Sequence, residues 1–337
     1  MADVIQDLDI GDVARVRALM KPAEMTVNAA TPFSFRSIVP QGWSVVQMSQ
    51  TPPTAEKLTP VAVLQSPTDP KASLQIQAVR LEHEISATDW LIHYARIQKW
   101  LSEKIEDFGG KAARGPMLLS VNGVNLAAFV AAYIQRDLLI LYQAICGADD
   151  AQRYAGAFNL MVRSFEPTEA PTQAFVEPFA FQVLDRKVRF LAPASWPAQI
   201  TASGQNHRHA MDFVRTDKAG AVVGICRAKL ILPGGVASYD EVFRGVYREL
   251  QEAGLGFVSE MANVDGGVGL RAEPGRIVAY SMKTAVGLEV EARILVAENK
   301  GAYFVLRMTG PAATSDFYEW AINSRCFELM SKSIEWA

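Results

Sequence analysis

Several things are missing from this chain of 337 residues. No window of about 18 consecutive apolar residues exists, so no segment reads as a membrane-spanning helix. No block of Lys or Arg stands out and the net charge is −3, which removes the electrostatic argument for nucleic acid or an anionic membrane. Cysteine is scarce. Cys146, Cys226 and Cys326 are odd in number, far apart and set in apolar or helical stretches, so they read as buried free thiols of a reducing compartment. The opening Met1-Ala2-Asp3-Val4-Ile5-Gln6-Asp7 lacks the basic and apolar regions of a secretory signal, and the expected location is the cytoplasm. No Gly-x-Ser-x-Gly elbow is present.

What is present is a module written twice. Pro40-Gln41-Gly42-Trp43 returns as Pro193-Ala194-Ser195-Trp196, 153 positions on (196 − 43). Phe158-Asn159-Leu160-Met161-Val162-Arg163-Ser164-Phe165-Glu166 returns as Phe327-Glu328-Leu329-Met330-Ser331-Lys332-Ser333-Ile334-Glu335. From tryptophan to phenylalanine is 115 positions in the first copy (158 − 43) and 131 in the second (327 − 196). The surplus predicts a longer or additional hairpin in the second.

Residues 1–22 read as a helical arm. Val13, Val16, Leu19 and Met20 are helically spaced, Asp12 is a candidate cap, and Lys21-Pro22 is a stop. The arm either packs on its own domain or contributes to an assembly interface. Residues 23–32 read as a linker, 31–167 as the first module, 168–178 as a second linker and 179–337 as the second module. Within the first module, Phe33–Val39 alternates as a half-buried strand, followed by strands near 43–48, 61–65 and 73–81. Asp89 then caps a predicted helix over 90–108 whose apolar stripe is Leu91, Tyr94, Ile97, Leu101, Ile105 and Phe108, ended by Gly109-Gly110. Strands over 117–121, 125–135 and 138–146 follow, with Asn122-Gly123 as a hairpin signal, and Asp150 caps a last helix to Ser164. The second module repeats the plan, with helices over 239–253 and 315–334. Strands that are grouped rather than alternating with helices imply α+β modules, each an antiparallel sheet of about six strands covered on one face by helices.

That order of elements, with a Pro-x-x-Trp opening hairpin and a last helix ending Phe-x-Leu-Met-x-x-Ser, resembles the Mog1/PsbP-like superfamily as a tandem repeat from about residue 33 onward. Members include a Ran-binding protein, a photosystem subunit, bacterial lipoproteins and chaperones of type VI secretion effectors. A chain without a leader resembles the last group best. The resemblance implies an apolar groove, formed by paired sheets, that holds hydrophobic helices of a client before secretion. Those chaperones are single modules that pair, whereas two modules are fused here.

The chemistry-bearing residues are sparse. The histidines are His83, His93, His207 and His209. His207-Arg208-His209 with Asp212 is the nearest approach to a metal cluster, and without a third strong ligand it reads as a solvated loop. Asp265-Gly266-Gly267-Val268-Gly269 is followed by strand rather than helix, so it reads as a hairpin loop and not a phosphate cradle. Trp43 and Trp196, each just after a turn, read as core anchors. No catalytic residue, metal ligand or cofactor is assigned, and the chain is expected not to be an enzyme.

The strand faces carry the functional expectation. Leu74, Ile76 and Ala78 form an apolar face, with Gln75, Gln77 and Val79 on the other. Val222, Gly224, Cys226 and Ala228 alternate in the same way with Val223, Ile225, Arg227 and Lys229. The mixed faces are either solvated or a partner groove, so Gln75, Gln77, Val79, Val223, Ile225, Arg227 and Lys229 are the candidate partner-binding residues. The leading reading is a chaperone or adaptor for a protein client. A homo-oligomeric assembly subunit and a small-ligand enzyme are the alternatives.

Overall fold

The computed structural model describes residues 10–29, 32–55, 57–102, 104–168, 176–183, 186–203, 208–234, 238–261 and 275–336. The chain divides into two units, one of Met1–Glu82 with Ser86–Ala174, the other of His83–Ile85 with Phe175–Ala337. The expected α+β class is observed, with a sheet-and-helix module in each unit.

The first unit begins with α1 (Ile10–Arg17), β1 (Met20–Val27), β2 (Phe33–Pro40), β3 (Ser44–Met48), β4 (Thr59–Gln65) and β5 (Ser73–Arg80). It continues with α2 (Ala87–Ile97), β6 (Leu101–Ser102), β7 (Glu106–Phe108), β8 (Ala112–Val121), β9 (Val124–Gln135) and β10 (Leu138–Gly147). After a single 3-10 turn come α3 (Ala151–Arg163) and β11 (Glu166–Pro167). A small sheet has the order β1-β2-β11, and the large sheet runs β3-β4-β5-β10-β9-β8-β6, with β7 also on β8.

The second unit holds β12 (Val176–Val183), β13 (Arg186–Pro193), β14 (Ala198–Ser203), β15 (Arg208–Thr216), β16 (Val222–Ile231) and α4 (Tyr239–Glu252). Then come β17 (Leu255–Met261), β18 (Gly275–Thr284), β19 (Glu289–Asn299), β20 (Ala302–Pro311), α5 (Phe317–Lys332) and β21 (Glu335–Trp336). Its sheets, β12-β13-β21 and β14-β15-β16-β20-β19-β18-β17, repeat the order of the first unit, in which β7 is the one strand without a counterpart among the described residues.

Alternation drives both sheets. In β2, Phe33, Phe35 and Val39 are buried and join Leu74, Ile76, Ala78, Ile140, Tyr142, Phe158 and Met161 in one core. α2 buries Trp90, Leu91 and Ala95 and packs over β8 and β9 outside that core. In β19, Ala292, Ile294 and Val296 pack with Val242, Val246 and Leu250 of α4. The alternate residues meet α5 instead: the Trp320 indole N–H donates to Glu291 at 2.7 Å, and the Arg293 guanidinium lies over the Trp320 ring. The second unit therefore carries helices on opposite faces of its large sheet, which corrects the expectation of helices on one face. The large sheets also have seven strands in their main order rather than about six.

Other expectations are corrected by local physics. The arm read over 1–22 is helical over Ile10–Arg17, which places Asp12 third in the helix rather than before its start. The linker read over 23–32 is largely strand β1, which pairs with β2 from Met20↔Pro40 to Val27↔Phe33. Pro22 is tolerated because β1 is an edge strand, where a missing N–H costs no ladder bond. The linker read over 168–178 gives way to β12 at Val176.

The helix predicted over 90–108 stops at Ile97. Lys99 takes φ +57, its N–H reaches the Arg96 carbonyl, and the Trp100 N–H reaches the Ala95 carbonyl at 2.8 Å. This is a left-handed helix stop made without glycine. Its cap is Ser86, whose Oγ accepts from the Asp89 N–H while donating to the Asp89 carboxylate. Asp150 stands at the N-cap of α3 without making a side-chain cap bond. No additional hairpin appears among the described residues of the second unit. Most of the surplus lies between the start of α4 and the start of β18, 36 positions (275 − 239) against 25 between α2 and β8 (112 − 87).

Candidate functional site

The repeated motifs build fold rather than chemistry. The Trp43 N–H bonds the Pro40 carbonyl at 3.0 Å, and the Trp196 N–H bonds the Pro193 carbonyl at 3.1 Å. Both tryptophans are buried, and Trp43 stands edge-on to Phe158. The serine of the second motif is equally specific in purpose. The Ile38 N–H donates to Ser164 Oγ at 3.0 Å, and the Leu191 N–H donates to Ser333 Oγ at 2.8 Å. Each serine in turn donates to the methionine carbonyl three residues back, at 3.0 Å. The last helix of each unit is thus tied to the central strand of its small sheet. Cys146, Cys226 and Cys326 are buried free thiols.

Of the metal-like cluster, Asp212 is committed to an arginine. Asp212 is held bidentately by Arg227, Nε to Oδ1 and Nη2 to Oδ2, both at 2.6 Å. His207 and Asp265–Gly269, read as loops, lie outside the described residues.

On the mixed face of β5, Gln75 and Gln77 are half-buried and Val79 is buried. Gln75 stands opposite Gln143 of β10. Gln143 is buried and hydrogen-bonded with the Tyr94 hydroxyl of α2, and burial raises the Tyr94 pKa. Gln77 Oε1 is buried without a donor. The matching face of β16 places Val223, Ile225 and Arg227 half-buried and Lys229 buried. Here the structure adds three residues the sequence reading left unconnected: Asp212 of β15, Glu249 of α4 and Arg307 of β20.

Lys229 Nζ bonds Glu249 Oε1, Arg307 Nη1 lies 3.3 Å from Glu249 Oε2, and Arg227 Nη1 lies 3.9 Å from the same oxygen. Arg227 faces Asp212 on one side and Arg307 on the other by strand register. The Asp212 hydrogen bonds raise the Arg227 pKa. Burial lowers those of Lys229 and Arg307, with Glu249 opposing the fall in both. Three cations here share two carboxylates. Arg227 and Lys229 were legible as one face of a strand, but cross-strand register, which sequence does not reveal, brings in the others.

A second feature was not foreseen. In the first unit a cavity of about 700 Å³ opens at the ends of β8 and β9 and the start of α3. Leu101, Met117, Leu118, Val124, Ala127 and Phe129 supply its apolar lining, with Lys71, Asn125 and Asp149 among its polar groups. Leu101 is 71% exposed and Val124 45% exposed. The sequence reading placed Leu101 on a helix stripe, whereas it lies on the two-residue strand β6. Concave apolar walls with a few polar groups suit a side chain or short segment of a ligand.

One further polar site belongs to the second unit. Ser195 Oγ donates to Glu84 Oε2 at 2.8 Å, and burial pushes the Glu84 carboxyl up to about 7. Among the described residues no group of three or more His, Cys, Asp or Glu is placed to hold a metal ion, and no helix is long and apolar enough to cross a membrane.

No protein-family model matches the chain, and no curated protein matches it. It is similar to three solved structures among others. The solution structure of cyanobacterial PsbP (CyanoP) from Synechocystis sp. PCC 6803 is 14% identical, covers 44% of this chain and 92% of its own, and has a TM-score of 0.34. LpqN of Mycobacterium tuberculosis, described as involved in cell envelope biogenesis, is 17% identical over 48% of this chain and 99% of its own, with a TM-score of 0.32. The type VI secretion immunity protein TplEi of Pseudomonas aeruginosa is 10% identical over 88% of this chain and 97% of its own, with a TM-score of 0.26.

Proposed function

We propose that this chain is a non-enzymatic protein-binding protein, a cytoplasmic chaperone or adaptor that holds an apolar segment of a protein client of the type VI secretion kind. The observation that carries this reading is the open apolar cavity of the first unit, with Leu101 and Val124 exposed at it. Apolar area removed from water there contributes roughly 25 cal/mol per Å². The mixed strand faces, with Gln75, Gln77, Val79, Val223, Ile225, Arg227 and Lys229, are the proposed second contact, where amide and cationic groups pair with client polar groups. The test is a photo-crosslinking residue at Val124, compared with one at the exposed Arg36 on β2, in cells that make the protein. A client crosslinked at Val124 through an apolar segment, and absent at Arg36, is expected. Recovery of the chain crosslinked only to itself would overturn the reading.

A second reading rests on β3. This outer strand is exposed along its whole length, and Val45, Val46 and Met48 are each more than half exposed. Such an edge pairs readily with another strand. Homo-oligomerisation through it predicts a defined dimer in sedimentation that Val46→Lys disperses; a monomer at all concentrations would sink it.

A further inference from the structure

We infer that the cluster of Asp212, Arg227, Lys229, Glu249 and Arg307 in the second unit is a receiving site for one carboxylate side chain of a protein partner. This deepens the protein-binding reading and rests on it. The first ground is charge. The cluster holds three permanent or protonated cations against two carboxylates, and the missing counter-charge is one acid. Arg208, exposed at the start of β15, alternates onto the same strand side as Asp212 and adds a further cation at the rim.

The second ground is hydrogen bonding. The Arg307 side chain is buried, and its Nε–H has no acceptor. A buried donor of a charged group is rarely left unpaired, and a cation held without a full complement of acceptors favours a pairing that completes it. Glu249 is stretched between Lys229, Arg307 and the more distant Arg227. An arriving carboxylate that takes the Lys229 ammonium frees Glu249 to turn onto Arg307 and accept from its Nε. The sum of bonds rises while each charge keeps a partner.

The third ground is access. The side chains of Arg227 and Glu249 are 29% and 28% exposed, so the cluster reaches solvent from one side while Arg307 and Lys229 lie beneath. A carboxylate is the partner for these donors, because it is small, planar and matched to guanidinium and ammonium.

The probe is N-acetyl-glutamate N-methylamide, with N-acetyl-glutamine N-methylamide as its uncharged twin, titrated into the full chain while the Arg Nε–H resonances are followed by NMR. The expected result is a saturable shift at Arg227 and Arg307 with the acid alone, weakening as salt is added. Glu249→Gln leaves one carboxylate for three cations and is expected to tighten the acid by about tenfold, a gain that misfolding cannot imitate. Lys229→Met is expected to abolish it. Equal responses to acid and amide, no response to either, or no gain in Glu249→Gln would overturn the site. The Val124 crosslink is independent of this cluster. An intact crosslink with no carboxylate binding rejects the site alone, and loss of the crosslink rejects the protein-binding reading.

Discussion

The two units share a backbone plan and differ in what they bury. Counting from the β9–β10 turn at Arg136 and the β19–β20 turn at Lys300, Gln143 and Arg307 occupy the same place. One faces Gln75 across the strand pair and the other faces Arg227. A neutral amide bonded to a tyrosine in one unit therefore stands where an ion cluster stands in the other. The same count pairs Cys146 with Gly310.

Four residues before the motif phenylalanine, α3 carries Tyr154, which reaches out to Asp69, while α5 carries Asn323. Asn323 is fully buried, donates to the Val223 carbonyl at 2.8 Å and accepts from Arg215. It fits because Gly224 and Gly310 lack side chains: a Cβ at either would collide with its amide. Apolar alternation and turns fix the shared frame, and polar burial is where the copies have diverged. Individual function is to be sought in those divergent positions.

The shared frame is tested by a shared anchor. Phe158 and Phe327 are both buried, and each change to Ala is expected to cost its own unit about 3–5 kcal/mol in urea unfolding. A large cost in only one unit would break the equivalence.

The next contrast is in pH. Glu84 has its folded pKa raised from 4.5 to about 7, so the folded second unit binds a proton that the unfolded chain releases. That contribution to stability is complete below pH 4.5 and is lost as pH rises towards 7. Glu84→Gln should flatten the melting temperature of this unit over that window, and an unchanged slope would remove Glu84 as the cause.

Gly310→Ala should destabilise the second unit by about 1–3 kcal/mol, because the methyl group has no room beside Asn323. In a double-mutant cycle with Asn323→Ala the two costs should fall short of additive. Additive costs would mean the amide is not what Gly310 accommodates. Smallest, Ser164→Ala and Ser333→Ala should each cost about 1 kcal/mol, and by similar amounts, since each removes the same bond to a strand N–H. Unequal costs would sharpen the comparison by showing which unit depends more on its helix tie.

The repeat was legible because its signals are local. Pro-x-x-Trp encodes one turn, Phe-x-Leu-Met-x-x-Ser encodes one helix end, and Asn122-Gly123 adopts positive φ at both residues, as a tight hairpin requires. The end of α2 was not legible, because Lys99 supplies the left-handed stop that glycine usually marks, and Leu101 and Phe108 happen to continue a helical spacing. β1 was hidden by Pro22, which forbids a helix interior but is harmless on an edge. The charge cluster was half visible: Arg227 and Lys229 share a strand face, while Asp212, Glu249 and Arg307 sit on three other elements whose register depends on the folded sheet. The cavity was invisible because its lining comes from β6, β8, β9 and the start of α3, which only the folded chain brings together.

The small sheets have a consequence for ancestry. In each, the first strand and the last strand of the module flank the same central strand, β1 and β11 around β2, β12 and β21 around β13. With neighbouring strands about 4.8 Å apart, the first and last strands of a module lie two spacings, about 10 Å, apart across that central strand. A gene for one such module can be duplicated head to tail with only a short joint, since no strand of one copy has to thread the other. Once doubled, each copy keeps its own closure, and one can carry charges in its interior where the other carries amides.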